Sequence, residues 1–361
     1  CLEEGYAEAL VINADGSVVS TGVEDGKYWE NIKGNIKTVN NKMTLTFEDD
    51  DNFEGRFEML SGEAFTIYEE DGESLTYRYC ANDLSDEVVG MWVCMEKAFG
   101  QQDEMAIQEY RKDGTGLFTG YIPTMNGFVH NAPYRYKLVG NLLMTIVDGT
   151  DASLAIGINI TPNATEYGDI MTTYNPVLDI TSSFLRIKQN LDLPGMKYDY
   201  IKTFVTNVKG LDKDIEFMGT TFNFAKMDGV MLDKALKTIL FNVEFPDANT
   251  IKYSCYYNGQ NMSMEAPIVV DGNKMTVKMS EKNPAYKDTD LYTFQDQDNT
   301  QMHMYMPTYA FENFFGNMQV TIMEQLGQLD TTDAAAVKAV FDSIDDAVET
   351  INVSFVMHSS K

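Results

Sequence analysis

The 361-residue sequence predicts a mainly β protein made of three consecutive antiparallel units, the third with added α-helices. Three observations carry this. Three stretches read alike: Asn40-Asn41-Lys42-Met43-Thr44-Leu45-Thr46-Phe47, Gly140-Asn141-Leu142-Leu143-Met144-Thr145-Ile146 and Gly272-Asn273-Lys274-Met275-Thr276-Val277-Lys278-Met279. Each is a tight turn feeding an alternating strand, the middle copy with a one-residue slip, and such recurrence marks one small unit used repeatedly. Each copy also lies downstream of an Asp-Gly turn between strand-like runs, at Asp15-Gly16, Asp113-Gly114 and Asp228-Gly229. Asp-Gly supplies the positive φ angles that tight hairpins require. Finally, twenty Tyr, twenty Phe and 26 Gly make a composition of strand formers and turn residues.

The first unit spans residues 7–84. Strands are predicted over 9–12, 17–20, 43–47, 56–60, 64–68 and 75–79, with Glu70-Asp71-Gly72 turning between the last two. Phe65 and Ile67 alternate with Thr66 and Tyr68, so one face is buried and the other wet. A polar join, residues 81–87, leads into the second unit, 85–192. Its strands begin at Val88 to Cys94 and continue on both sides of Asp113-Gly114, then over 134–138, 142–147 and 183–187. Leu193-Pro194-Gly195 marks the next boundary.

The third unit, 193–361, is mixed. Apolar residues at Tyr200, Ile201, Phe204, Val205 and Val208 have helical spacing, which predicts a helix over 198–208. Helices are also predicted over 231–240, 309–325 and 334–349, the last capped by Thr332-Asp333. Strands are predicted over 241–245, 250–257, 262–268, 274–279, 291–294 and 301–306, and 351–357 returns as the final one.

The net charge of −28 opposes association with phosphate backbones, so nucleic acid is excluded as a partner. No run approaches the ~20 apolar residues of a membrane-spanning helix. Four cysteines, Cys1, Cys80, Cys94 and Cys255, fit no zinc spacing. A Cys80–Cys94 disulfide in an oxidising compartment and two buried free thiols both remain open.

Gly90-x-Trp92 at the head of a strand series, then Lys112-Asp113-Gly114-Thr115-Gly116, then Tyr134-x-Tyr136-x-Leu138-x-Gly140-Asn141, resembles the lipocalin-like domains of Bacteroidetes lipoproteins. The resemblance is best over 88–190 and weaker over 7–82. It implies tandem lipocalin-like antiparallel β-barrels of about eight strands, whose interior holds one small ligand. It also implies that Trp92 packs across the closed end of its barrel, with Gly90 opening the strand. The first unit departs from this pattern, because Trp29 lies well inside it; its barrel is expected to be incomplete or differently closed. A chain opening on Cys1 and an acidic segment likewise resembles a processed bacterial lipoprotein. That implies acylation of Cys1, residues 1–6 as a short tether, and about 0.8 kcal/mol of membrane attachment per buried methylene.

No catalytic constellation stands out. The three histidines, His130, His303 and His358, have no nucleophile-elbow pattern beside them. The acidic runs Glu48-Asp49-Asp50-Asp51-Asn52 and Asp296-x-Asp298-Asn299 could donate oxygens to calcium, but they lack the spaced loop with a terminal Glu. Solvated hairpin turns are the simpler reading. Met302, Met304 and Met306 alternate on one strand around Tyr305, among 22 methionines. Adaptable Met side chains line promiscuous apolar sites and also fill cores, so these four residues are the candidate ligand contacts against a background of core packing. Tyr121, Tyr134 and Tyr136 could stack on sugars, or merely suit strand faces.

The expected protein is non-enzymatic, cofactor-free, metal-free and lipid-anchored in the cell envelope, on the periplasmic or surface side of the outer membrane. It would bind a small apolar molecule or a glycan. The alternative is a scaffold lipoprotein with an envelope protein as partner, and a hydrolase is third.

Overall fold

The computed structural model describes residues 1–3, 5–48, 52–68, 72, 74–80, 82–94, 105–122, 127–147, 153–165, 168–210, 212–217, 220–226, 229–238, 241–257 and 259–360. The acidic residues 49–51, Glu70 and Asp71 of the expected turn, Asp228 and the Tyr121 side chain lie outside the described residues.

The chain is mainly β, with two closed eight-stranded antiparallel barrels following an open seven-stranded sheet. The sheet runs in sequence order: β1 (Tyr6–Ile12), β2 (Ser17–Glu24), β3 (Lys27–Val39), β4 (Lys42–Phe47), β5 (Asn52–Ser61), β6 (Ala64–Tyr68) and β7 (Ser74–Arg78). The first barrel holds β8 (Gly90–Cys94), β9 (Ala106–Tyr110), β10 (Thr115–Ile122), β11 (Gly127–Val139), β12 (Leu142–Val147), β13 (Ser153–Thr165), β14 (Gly168–Asn175) and β15 (Ile180–Ile187), with β15 returning beside β8. The outer face of the sheet packs on this barrel through Ala7 and Val23 against Leu142, Met144 and Ala155. Sheet and first barrel thereby form one compact unit, and the second barrel with its helices forms another.

The second barrel begins with β16 (Lys197–Gly210). A separate hairpin of β17 (Asp214–Phe217) and β18 (Thr220–Asn223) follows, and then α1 (Gly229–Thr238). The barrel continues with β19 (Asn242–Asp247), β20 (Thr250–Tyr257), β21 (Gln260–Asp271), β22 (Lys274–Val277), β23 (Thr289–Gln295) and β24 (Gln301–Met306). Helices α2 (Thr308–Gln325) and α3 (Ala334–Asp345) precede β25 (Val348–Ser359), which closes the barrel on β16.

The sequence repeat is a repeat of hydrogen bonds. The carbonyls of Asn41, Asn141 and Asn273 each accept a backbone N–H from the strand after next, from Phe57 at 2.9 Å, Ile158 at 2.8 Å and Thr293 at 2.7 Å. In the upstream turns, Asp15 Oδ1 accepts from the Ser17 N–H at 2.9 Å and Asp113 Oδ1 from the Thr115 N–H at 3.0 Å. Gly16 and Gly114 carry φ of +83° and +81°, a region where a side chain is strained. The third copy of this turn is not Asp228-Gly229, since Gly229 opens α1. It is Asp247-Ala248-Asn249, where Asp247 Oδ1 accepts from the Asn249 N–H at 2.8 Å and the Asn249 carbonyl from Ile268 at 2.7 Å. An Asx turn can be built without glycine, and that hid it.

The helix expected over 198–208 is a strand. β16 pairs with β25 along its length, and register shifts fall between Tyr200 and Lys202 and between Thr206 and Lys209. Each bulge moves the side-chain alternation by one residue, so a strand of period two mimics helical spacing. The other three helices stand where the sequence put them, although α3 ends at Asp345 and the chain is extended again from Val348. Asp333 caps α3 by accepting from Ala335 and Ala336 N–H groups at 3.0 and 3.2 Å. Gly316 in α2 is packed so closely on α3 that a Cβ would sit 2.4 Å from the Phe341 ring.

Candidate functional site

Met302, Met304 and Met306 all turn into the second barrel, where they join one core with Met275, Leu291, Val353, Phe355 and Met357. Helix α2 completes this interior. Its Phe314 ring meets Tyr253 at 5.5 Å, Phe355 at 5.8 Å and Phe241 at 6.4 Å between ring centres. Tyr305 alternates to the opposite face, tilted against Tyr292 at 6.4 Å. The strand thus brings the three methionines together and sends Tyr305 elsewhere.

His303 also faces away from the methionines and stacks on Phe294 at 4.6 Å. Burial pushes its pKa down to about 4, so the ring is neutral at physiological pH. Asp296 is buried in its turn, where Oδ1 accepts from the Thr300 and Gln301 N–H groups at 2.8 and 3.1 Å and Oδ2 accepts from the Thr300 hydroxyl. These partners make it a capped hairpin turn. No disulfide joins Cys80 and Cys94, and Cys94 is buried. Trp92 is fully buried among Leu84, Val88, Tyr110 and Phe184, and its indole N–H donates to the Val88 carbonyl at 2.8 Å. Tyr134 is buried, its hydroxyl donating to the Glu109 carbonyl at 2.9 Å. Tyr136 meets the Tyr110 ring edge-on at 5.0 Å.

Two spaces occur back to back on the second barrel. Behind β20 and β21 lies a small apolar cavity of about 30 Å³, lined by Phe241, Tyr253, Cys255, Met264, Phe314 and Met318 among others. That is room for about one water molecule, far below a lipid. On the outer side of the same strands lies an open groove of about 520 Å³. Lys197, Asn242, Glu244, Lys252, Tyr256 and Asn261 line it, and Ser254, Cys255, Met262 and Ser263 are shared with the cavity.

Strand register explains the groove. Lys197 pairs with Glu244, Glu244 with Lys252, Asn242 with Ser254, and Tyr256 with Asn261. Partners across a sheet share a face, so these side chains form one polar outer surface. β16 pairs with β19 over Lys197 to Asp199, and the Tyr200 N–H next donates to the Phe241 carbonyl at 3.0 Å. Asp233 of α1 accepts from the Tyr200 hydroxyl at 2.5 Å and the Thr203 N–H at 2.9 Å, holding β16 at this point. In the groove, Glu244 bonds Lys197 at 2.9 Å and Lys252 at 3.2 Å. The two ammonium groups keep its carboxyl below the usual range, so it is ionised and offers no proton. Asn242 Oδ1 at the groove and the Tyr253 hydroxyl at the cavity are buried without a protein partner among the described residues. A buried polar group left so costs about 1–3 kcal/mol. Tyr256 stands 47% exposed on the rim. Sequence pattern does not point to these residues, because a polar outer strand face looks alike whether or not it is hollowed.

Glu312 on α2 carries a testable electrostatic feature. Burial pushes its carboxyl up to about 7, helped by Asp345 on α3 and opposed by Lys287. Between the unfolded value of 4.5 and about 7 the folded state holds the extra proton. Its stabilising contribution is therefore complete below pH 4.5 and is lost as pH rises through 7. Glu312→Gln should leave thermal stability unchanged at pH 4 and raise it at pH 8. The gain should be roughly 1 kcal/mol once solvent screening of a half-buried side chain is allowed for. Equal shifts at both pH values in a calorimeter would contradict this assignment.

No family model and no curated protein matches the chain. Among solved structures it is similar to the crystal structure of the isotype 1 transferrin binding protein B from serogroup B Neisseria meningitidis. The identity is 8% and the TM-score 0.23, over 99% of this chain and 66% of that one. The chain thus spans just under two thirds of that protein's length, and a likeness at this level shows neither fold nor function.

Proposed function

We propose that this is a non-enzymatic binding protein of the cell envelope that takes a glycan in the groove over β16, β19, β20 and β21. The observation that supports it is the groove itself: about 520 Å³, within the range of small-molecule sites, with polar walls and an exposed Tyr ring. A pyranose offers hydroxyls to Asn242, Asn261 and Glu244 and an apolar face to Tyr256. Of the two expected ligand classes, an apolar molecule is disfavoured because the interior beside Met302, Met304 and Met306 is filled. Acylation of Cys1, which would hold the body at a membrane surface, stays part of this reading. Mass spectrometry of the protein from its own host reads it directly.

The test is a glycan array followed by titration calorimetry. Tyr256→Ala and Asn261→Ala should each weaken binding of the best glycan about ten-fold, equivalent to ~1.4 kcal/mol. An array with no hits, or a hit indifferent to both substitutions, would overturn the groove assignment. The competing interaction-protein reading is favoured by one separate feature, the open edge of the first sheet.

A further inference from the structure

Four sulfur-bearing side chains line the small cavity between α2 and the strands β20 and β21. On β20, Tyr253 and Cys255 share the inner face, and Met264 and Met262 of β21 stand directly opposite them in register. Cross-strand partners carry their Cβ atoms about 4.5–5.5 Å apart, so these side chains reach one another. Helix α2 closes the space with Phe314, Met318 and Ile322, spaced four residues apart on one helix face. The Thr321 hydroxyl lies 3.4 Å from the Met264 sulfur, which brings that thioether to the helix. Cys255, Met262, Met264 and Met318 thus converge from two strands and a helix on one cavity of about 30 Å³. That volume admits a single occupant the size of a water molecule or an ion.

Methionines commonly fill cores, as Met302, Met304 and Met306 do in the same barrel. This cluster differs from that stripe because it surrounds a space and because a thiol stands among its thioethers. Cys255 forms no disulfide. Met262 and Met318 are buried, while Cys255 and Met264 are only partly so and keep the cavity in touch with solvent. Tyr253, itself buried, brings to the same wall a hydroxyl with no protein partner among the described residues. No carboxylate and no imidazole lines the cavity among the described residues. Calcium takes an all-oxygen shell and zinc takes imidazole, thiolate or carboxylate, so this set of donors suits neither. Thiolate and thioether sulfur select Cu(I).

We propose that this cavity binds one soft monovalent metal ion, Cu(I) or its analogue Ag(I), through Cys255, Met262, Met264 and Met318. Binding exchanges the thiol proton for the ion. The S–H bond breaks, a sulfur–metal bond forms, the proton passes to solvent and no electron is transferred. The thiolate so formed neutralises the cation, and an unpaired charge is never buried. Burial holds the Cys255 thiol above its usual pKa, so the proton stays until an ion displaces it. The net charge of −28 favours the approach of any cation.

Silver(I), which keeps its oxidation state in air, tests this on the full chain in chloride-free buffer with methionine methyl NMR as the readout. One equivalent should shift the methyl resonances of Met262, Met264 and Met318 and leave the other methionines in place. Met262→Leu and Met264→Leu, which conserve volume, should each weaken binding about ten-fold. Cys255→Ser should send the ion elsewhere, so that the three methyl resonances no longer move. Calcium at the same concentration should move none of them. Silver that binds without shifting any methionine has been captured by other thiols, and that result would overturn the proposal. So would shifts confined to other methionines, the same shifts with calcium, or an affinity indifferent to both leucine substitutions. Tyr256 and Asn261 lie on the opposite face of these strands, so Tyr256→Ala should leave the silver shifts unchanged. The glycan reading and the metal site therefore stand or fall separately.

Discussion

Phe314→Ala is expected to cost the second barrel about 3–5 kcal/mol, the range for deleting a buried aromatic ring. Phe314 is 5% exposed and is the point at which α2 enters the barrel, touching Phe241, Tyr253 and Phe355 at once. Such ring pairs contribute beyond the area they bury. The ring also walls the 30 Å³ cavity, so its removal enlarges a space already lined by Tyr253, Met264 and Met318. Apolar cavities on the order of 150 Å³ stay dry and bind benzene. Benzene should therefore raise the melting temperature of the variant and leave the unsubstituted protein unchanged. Calorimetry of the full chain should show the loss in one of two transitions, since sheet and first barrel form a separate compact unit. A variant as stable as the parent would mean that α2 packs on the barrel without filling it.

The architecture was largely legible because β-hairpins announce themselves locally. Alternation and Asp-Gly or Asn-Asn turns located most strands of the first sheet, and Trp29 lying off-pattern flagged its failure to close. Strands β3, β13, β14, β17 and β18 have no counterpart in the sequence reading. β3 (Lys27–Val39) is mostly exposed, so it shows little hydrophobic pattern. β13 (Ser153–Thr165) buries only two residues outright and is likewise faint. β16 was misread because its bulges disguise its period. The groove was illegible for a different reason. It is lined from β16, β19, β20 and β21, and the meeting of these strands' outer faces is a tertiary event with no local signature. The methionine stripe was read correctly as sharing a face, yet alternation cannot tell a filled interior from an empty one. That depends on where α2 (Thr308–Gln325) docks, far along the chain.

Trp92 separates packing from hydrogen bonding in the first barrel. It is fully buried, and the turn that precedes its strand folds over it: Val88 N–H donates to Leu84 at 2.9 Å, and Leu84 N–H to Gly140 at 3.3 Å. The indole N–H then donates to the Val88 carbonyl at 2.8 Å, tying the ring to that turn. Trp92→Ala removes both contributions and should cost about 3–5 kcal/mol. Trp92→Phe keeps most of the ring and loses the donor, for about 1–2 kcal/mol. The loss should appear in the transition that Phe314→Ala leaves untouched. If Trp92→Phe proves as damaging as Trp92→Ala, the hydrogen bond to Val88 rather than ring volume carries the stabilisation. If both variants lower the second barrel's transition instead, the two compact units do not unfold independently, and the Phe314 result must then be read as a loss shared by the whole chain.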